Sequence, residues 1–440
     1  MGPLTNTATF QRLLVALAKC EEDLSASESA ALRHLLPPYL TDLAFLFAAP
    51  EEILTPTEQA IFERLRAEKS NPSEPSAVRP QTVLVMKATR LCNLRCTYCH
   101  AWKEGPNQVM TFAVLAKATR DILRSEAKRV TFAWHGGEVT ILPISFFKKA
   151  LWLQRMFASE GQSVSNVIQT NATRLTDDWI TLFKAGNFKV GVSIDGPREI
   201  HDSRRLTKTG QPTWDKVRLG ITRLREANLG WGALIVVDHE VAQLGAKALL
   251  DSLFELGIRD VALLNVIPDN LDPQKDRADY LPWPAYIEFL SDMFRCWWPQ
   301  YCDKVKVREL KALINNLSGH APNTCVLAGD CMGQYLTVEP NGEISACDKY
   351  IGDREFEFGN ILHSDLNTLL GNSKNLARAR NDAKLEVAKM TDCKYLRVCR
   401  GGCPHDRRLN RLHQPAWGER CCGLSPLLDE ISAALSTTRP

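Results

Sequence analysis

The chain has 440 residues, a formal net charge of +3, 45 % hydrophobic residues and 14 cysteines. That length has room for two or three domains. The near-balanced charge, with no basic run interleaved with aromatics, gives nucleic-acid binding no footing. No apolar stretch approaches about 18 residues, and the first eleven residues carry neither Lys nor Arg. Neither a membrane span nor a secretory signal is therefore expected, and the chain reads as cytoplasmic. In that compartment clustered cysteines read as metal ligands rather than disulfides.

Residues 7–69 show helical period and no strand pattern. Phe10, Leu13, Leu14, Ala16 and Leu17 share one face, as do Leu32, Leu35 and Leu36. Pro37 and Pro38 break the pattern; 39–48 resumes it, and 57–69 predicts a further amphipathic helix with Ala60, Ile61 and Leu65 on one side. The Pro/Ser-rich stretch 70–80 reads as a linker. Residues 1–69 thus form an N-terminal helical unit, either a packing cap or a docking surface.

From residue 81 the pattern alternates. Strand-like runs fall at 82–88, 129–134, 166–170, 189–194, 232–237 and 260–267. Helical runs at 112–127, 144–158, 177–185, 214–227 and 244–256 separate them, and 282–298 follows the last. Six βα units predict an α/β fold with a parallel sheet and right-handed crossovers. Six are too few for a closed eight-unit barrel, so 81–305 is expected to form a partial (β/α)6 barrel, with its function at the C-terminal strand ends.

The loop after the first strand carries Cys92-Asn-Leu-Arg-Cys96-Thr-Tyr-Cys99. A given cysteine begins such a triplet by chance with a probability of roughly one in a thousand at this cysteine content. Three thiolates at this spacing can hold three irons of a [4Fe–4S] cubane and leave the fourth open to a small molecule. A zinc site would need a fourth ligand, which His100 would have to supply.

The second strand ends in Trp134-His135-Gly136-Gly137-Glu138, where two glycines allow close backbone approach to a ligand. The third ends in Gln169-Thr170-Asn171, and Asn171 can reach a ribose. The fourth ends in Ser193-Ile194-Asp195-Gly196-Pro197, followed by His201-Asp202-Ser203-Arg204-Arg205. Ser193 offers a hydroxyl, and an arginine can grip a carboxylate with two hydrogen bonds. Asp195 reads as part of this site or as a turn former before Gly-Pro, and Arg204 as a counter-charge or a solvated surface charge.

The cysteine triplet resembles the signature of the radical S-adenosylmethionine (SAM) enzymes, in which the open iron chelates SAM and an electron from the cluster releases a 5′-deoxyadenosyl radical. Gly136-Gly137-Glu138 is similar to that family's Gly-Gly-Glu-Pro element, with Val139 in place of Pro. Gln-Thr-Asn, Ser-Ile-Asp-Gly-Pro-x-Glu-Ile-His and the trailing Arg resemble the anaerobic sulfatase-maturating enzymes and related peptide maturases. The resemblance covers residues 82 to about 424. It implies SAM contacts from Tyr98, Gly136, Gly137, Glu138, Asn171, Ser193, Arg205 and Ile267, with Ser193 and Arg205 on the SAM carboxylate and Ile267 on the adenine. It also implies an electron donor such as flavodoxin or ferredoxin.

Eight cysteines lie between Cys325 and Cys422. The stretch 338–344, with Asn341-Gly342 as its turn, reads as a β-hairpin. Residues 306–440 resemble the SPASM domain, which holds auxiliary [4Fe–4S] clusters. The resemblance assigns Cys325, Cys331, Cys347 and Cys403 to a first auxiliary cluster. For a second, Cys393 and Cys399 match together with one of Cys421 and Cys422, while Met390 stands where a cysteine is expected. The adjacent cysteine fills the gap, or Met390 or Asp392 ligates, or the corner stays open, or that cluster is absent. Asp348 follows Cys347 at the step where the sulfatase maturases place a base acting on the substrate side chain, and a low dielectric there would raise its pKa.

The reaction expected is hydrogen abstraction from a side chain of a peptide or protein substrate, then two-electron oxidation or cross-linking. A ribosomal precursor peptide is the substrate favoured, on the N-terminal unit, Val139, Ala101, Met390 and the Cys421-Cys422 pair. The alternatives are a sulfatase maturase converting Cys or Ser to formylglycine, a dehydrogenase of a small molecule, and a non-catalytic electron carrier.

Overall fold

The computed structural model describes residues 43–68, 77–99, 101–266, 281–322, 324–413 and 420–437. The expected helices before residue 43, most of the linker, His100 and Ile267 lie outside the described residues.

The 57–69 expectation corresponds to helix α1 (Pro56–Ala67). Thr55 caps it: its hydroxyl accepts from Glu58 N, and the Glu58 carboxylate accepts from Thr55 N at 2.8 Å. Phe62 on α1 is fully buried against Trp152 and Phe157, at ring separations of 4.7 and 5.6 Å. Lys149 donates to both Glu58 oxygens at 2.6 and 2.7 Å. This helix is therefore packed onto the outer layer of the α/β unit, as a cap would be.

Six parallel strands follow: β1 (Gln81–Thr89), β3 (Arg129–Gly136), β4 (Ser163–Thr170), β5 (Lys189–Ser193), β7 (Trp231–Val237) and β8 (Asp260–Asn265). Each hydrogen-bonds to the next in that order. Two short strands, β2 (Leu94–Cys96) and β6 (Arg205–Thr207), pair with each other outside this sheet. Between the strands stand α2 (Phe112–Leu123), α3 (Ile144–Phe157), α4 (Asp177–Ala185), α5 (Arg198–Arg204) and α6 (Trp214–Glu226). A short helix that was not expected, α7 (His239–Leu244), precedes α8 (Ala246–Glu255), which matches the expected 244–256; Gly245 at φ +86° separates them. β9 (Lys306–Val307) pairs parallel to β8, and Glu309 on the next helix, Arg308–Leu317, accepts from Leu263 N at 2.9 Å.

Burial alternates along the central strands. Phe132 and Trp134, Ile168 and Thr170, and Val190 and Val192 are buried under the helices. Trp134 packs on Phe147 at 5.3 Å, and Phe147 on Trp179 at 5.2 Å. On the opposite face His135, Gln169, Gly191, Ser193 and Val236 are only half-buried. A doubly covered parallel strand would bury both faces, so this second face is the open interior of an unclosed barrel.

The sheet ends at β9 on one side. On the other it is extended by β10 (Tyr335–Val338), β11 (Glu343–Ser345) and β12 (Glu357–Asn360). β10 and β11 form the expected hairpin, with Gly342 in its turn at φ +89°. β10 then pairs parallel to β1, with Leu84 opposite Leu336 and Met86 opposite Val338. The cysteine-rich C-terminal part thus shares a sheet with the barrel.

Candidate active site

The two short strands place the first cysteines. β2 runs antiparallel to β6, with Cys96 opposite Arg205. Backbone amides point at sulfur: Leu94 N lies 3.4 Å from Cys92 Sγ, and Ala101 N lies 3.4 Å from Cys99 Sγ. Arg205 Nη1 stands 3.9 Å from Cys96 Sγ. Burial pushes the Cys92 thiol up to about 12 and the Cys96 thiol to about 11, with the neighbouring cysteines adding to the rise. Crowded thiols with N–H donors aimed at their sulfurs suit a cationic iron cluster that takes up the thiolate charge.

Behind them sits Asp195, wholly buried. It accepts from Arg205 Nε at 2.7 Å and Nη2 at 3.3 Å, from Tyr98 OH at 2.7 Å and from Val236 N at 3.2 Å, and it pairs with Arg204 at 3.2 Å. Burial works to raise its pKa, but Arg205 and Arg204 outweigh that and hold it at about 2. Asp195 is thus the anchor of two arginines, not merely a turn former. Arg204 is 2 % exposed and also pairs with Asp238, so it is no surface charge. Asp195 takes the Nε and Nη2 side of Arg205, which leaves Nη1, on the side of Cys96, for a ligand carboxylate.

Other expected SAM contacts also have partners. Glu138 Oε1 accepts from Thr140 N, Thr140 Oγ1 and Thr170 Oγ1, and Oε2 accepts from Asn171 N at 2.6 Å. Its carboxylate therefore ties the ends of β3 and β4 together. Asn171 Nδ2 donates to Asn93 Oδ1 at 3.0 Å, and its Oδ1 accepts from Thr173 N and Oγ1. That clamps the cysteine loop and leaves the second Nδ2 hydrogen of Asn171 for a ligand. A Cβ on Gly136 would stand 2.1 Å from the Thr89 oxygen, and one on Gly137 2.0 Å from the Leu91 oxygen. The glycines are there to let the cysteine loop pass. The Tyr98 ring is buried under Arg204 and Arg205, leaving its backbone for a ligand. Ser193 Oγ accepts from Gln169 Nε2 at 2.7 Å and keeps its own proton to donate. The sequence marks Gln169 within Gln-Thr-Asn but gives it no role. It lies across Gly191, where a Cβ would meet its Oε1 at 2.1 Å.

The C-terminal thiols form two groups. Burial pushes up Cys325, Cys331, Cys347 and Cys403, and each of the last three is pushed further by others of the set. In the second group the cysteines are thiols, and Cys422 is within hydrogen-bonding reach of both Cys399 and Cys421, and Cys421 of Cys393. Hydrogen bonds from Cys422 lower Cys399 and Cys421 and raise Cys422 itself. Met390 is buried against Gly401. The vicinal pair thus supplies a four-thiol set without Met390. Among the described residues no three His, Cys, Asp or Glu side chains converge on a single-ion site, and a cubane spreads its thiolates over separate irons.

Asp348 follows β11, which is joined to β1 through β10, and meets two barrel residues. Lys87 Nζ donates to Asp348 Oδ2 at 3.0 Å and lies 2.9 Å from His135 Nδ1. Lys87 is wholly buried, while the Asp348 and His135 side chains are 31 % and 33 % exposed. Burial alone would raise the Asp348 pKa, as expected from the sequence, but the Lys87 charge reverses this and holds it well below the usual carboxylate range.

Comparison with known proteins agrees. Residues 86–243 match the Radical SAM superfamily, and residues 325–404 match the SPASM iron–sulfur cluster-binding domain. A serine-type anaerobic sulfatase-maturating enzyme of Bacteroides thetaiotaomicron is 31 % identical over 75 % of this chain and 84 % of its own length. A cysteine-type enzyme of Clostridium novyi is 28 % identical over 75 % and 89 %. The solved structure of anSMEcpe with bound AdoMet superposes with a TM-score of 0.69 at 26 % identity, covering 81 % of this chain and 98 % of that one. The chain is an enzyme that uses SAM and [4Fe–4S] clusters, and it belongs to the radical SAM superfamily, in the SPASM-bearing family of the anaerobic sulfatase-maturating enzymes.

Proposed function

We propose that this enzyme oxidises the Cβ of a Cys or Ser side chain in a sulfatase polypeptide to formylglycine. The observation that carries the reading is the position of Asp348: next to Cys347 of the first auxiliary set, fixed by Lys87, and facing the open interior that Ser193 also lines. Likeness to both serine-type and cysteine-type relatives supports it.

Bound SAM and clusters would supply a 5′-deoxyadenosyl radical, which takes one hydrogen atom, and an acceptor for one electron. Cys92, Cys96 and Cys99 would hold the SAM-binding cluster, with Arg205 offsetting thiolate charge at Cys96. Cys325, Cys331, Cys347 and Cys403 would hold the first auxiliary cluster, and Cys393, Cys399, Cys421 and Cys422 the second. The Ser193 hydroxyl would donate to the SAM carboxylate. Asp348 would take the S–H or O–H proton of the substrate. A carbon radical beside sulfur or oxygen makes that proton far more acidic, so a carboxylate of depressed pKa still suffices, and its pairing with Lys87 keeps it ionised until then. Loss of that proton and one electron closes the C=S or C=O bond; water then releases hydrogen sulfide in the Cys case. A cytoplasmic flavodoxin or ferredoxin would be the reductant.

The test is anaerobic turnover with peptides carrying a sulfatase Cys or Ser site. Formylglycine gives an aldehyde that reacts with a hydrazine. A product that loses two hydrogens without aldehyde reactivity would instead indicate a cross-link, the reading favoured by the N-terminal unit and the vicinal cysteines.

A further inference from the structure

Lys87 and His135 are cross-strand partners at the C-terminal ends of β1 and β3. An ammonium has donors only. At 2.9 Å, Lys87 Nζ must therefore donate to His135 Nδ1, which has to be unprotonated. The remaining proton then sits on Nε2. In this form the 3.3 Å approach of His135 Nδ1 to Asp348 Oδ2 is no ion pair but two acceptors sharing one ammonium. Burial, then the Lys87 charge, lowers the His135 pKa to about 4, which agrees with a neutral ring. Nε2 has no partner among the described residues, and the His135 side chain is a third exposed on the barrel's open face.

We infer that His135 is a substrate-binding residue whose Nε2–H, fixed in direction by Lys87, donates a hydrogen bond to a peptide carbonyl beside the side chain presented to Asp348. This deepens, and rests on, the reading that a polypeptide is modified at Asp348. The fixed tautomer suits a carbonyl acceptor and excludes a second donor such as an amide N–H. His135 thus helps set the register of the peptide, while Asp348 receives the proton.

The experiment uses the full reconstituted chain in two arms. In the first, 15N-histidine NMR at pH 7, with the His135 signal assigned through His135→Gln, should show a neutral ring protonated on Nε2. An imidazolium or an Nδ1–H ring overturns the inference. In the second, peptide KM, peptide-free SAM cleavage and the ratio of 5′-deoxyadenosine to product are compared. His135→Ala should raise peptide KM about tenfold, the size of one lost hydrogen bond of about 1.4 kcal/mol. His135→Gln should recover most of the KM, because its amide can accept from Lys87 and still donate. An unchanged KM in His135→Ala, or a fall in kcat alone that Gln does not rescue, overturns it. A wild type that ignores every Cys or Ser peptide refutes the formylglycine reading instead, and the tautomer arm then decides His135 by itself.

Discussion

The guanidinium of Arg90 grips the carboxylate of Glu339 through two hydrogen bonds, Nε–Oε2 at 2.9 Å and Nη2–Oε1 at 3.0 Å. Arg90 precedes the first cysteine loop and also donates to the Ala101 carbonyl at 2.7 Å; Glu339 sits in the hairpin turn. One largely buried ion pair therefore joins the loop of Cys92, Cys96 and Cys99 to the cysteine-rich C-terminal part. Glu339→Ala leaves Arg90, 3 % exposed at its side chain, as an unpaired buried charge. The expected loss is about 3 kcal/mol of stability, read by urea denaturation. Glu339→Gln, which keeps one acceptor, should lose less.

His201 gives a pH-dependent stability. It is wholly buried, its Nε2 lies 3.1 Å from Thr213 Oγ1, and burial, then the Arg205 charge, lowers its pKa from 6.5 to about 4. The folded state disfavours the proton that the unfolded chain binds. The contribution is therefore complete above pH 6.5 and is lost as pH falls toward 4, on the order of 3 kcal/mol in full. Denaturation midpoints of the wild type should fall over that window, and His201→Gln should flatten this part of the slope.

The four-thiol set at Cys393, Cys399, Cys421 and Cys422 predicts an iron count. With three cubanes the reconstituted wild type should hold about 12 irons, and Cys422→Ser about 8. Met390→Leu should leave the iron count unchanged, as expected of a side chain packed against Gly401. An equal loss from Met390→Leu would move the ligand set.

Local patterns were legible in the sequence where one segment carries them. The strand–helix alternation, the 338–344 hairpin and the cysteine triplet all announce themselves within a few residues. What was not legible depends on pairing between distant segments. Nothing near Leu336 says that it will lie beside Leu84, yet that parallel pair carries Asp348 to Lys87 and reverses the expected direction of its pKa. Arg204 and Arg205 look alike in sequence; the antiparallel pairing of Cys96 with Arg205 sets Arg205 against the thiols, while Asp195 buries both. Glu138 and Asn171 carry groups that suit a ligand, and the fold uses those groups to hold its own loops.

The base role of Asp348 is tested most directly by measuring 5′-deoxyadenosine and aldehyde product together in wild type and Asp348→Asn, both fully loaded with iron and given a Cys-site peptide. The variant should still cleave SAM but form product about a hundredfold more slowly. Product at the wild-type rate from Asp348→Asn would contradict the account.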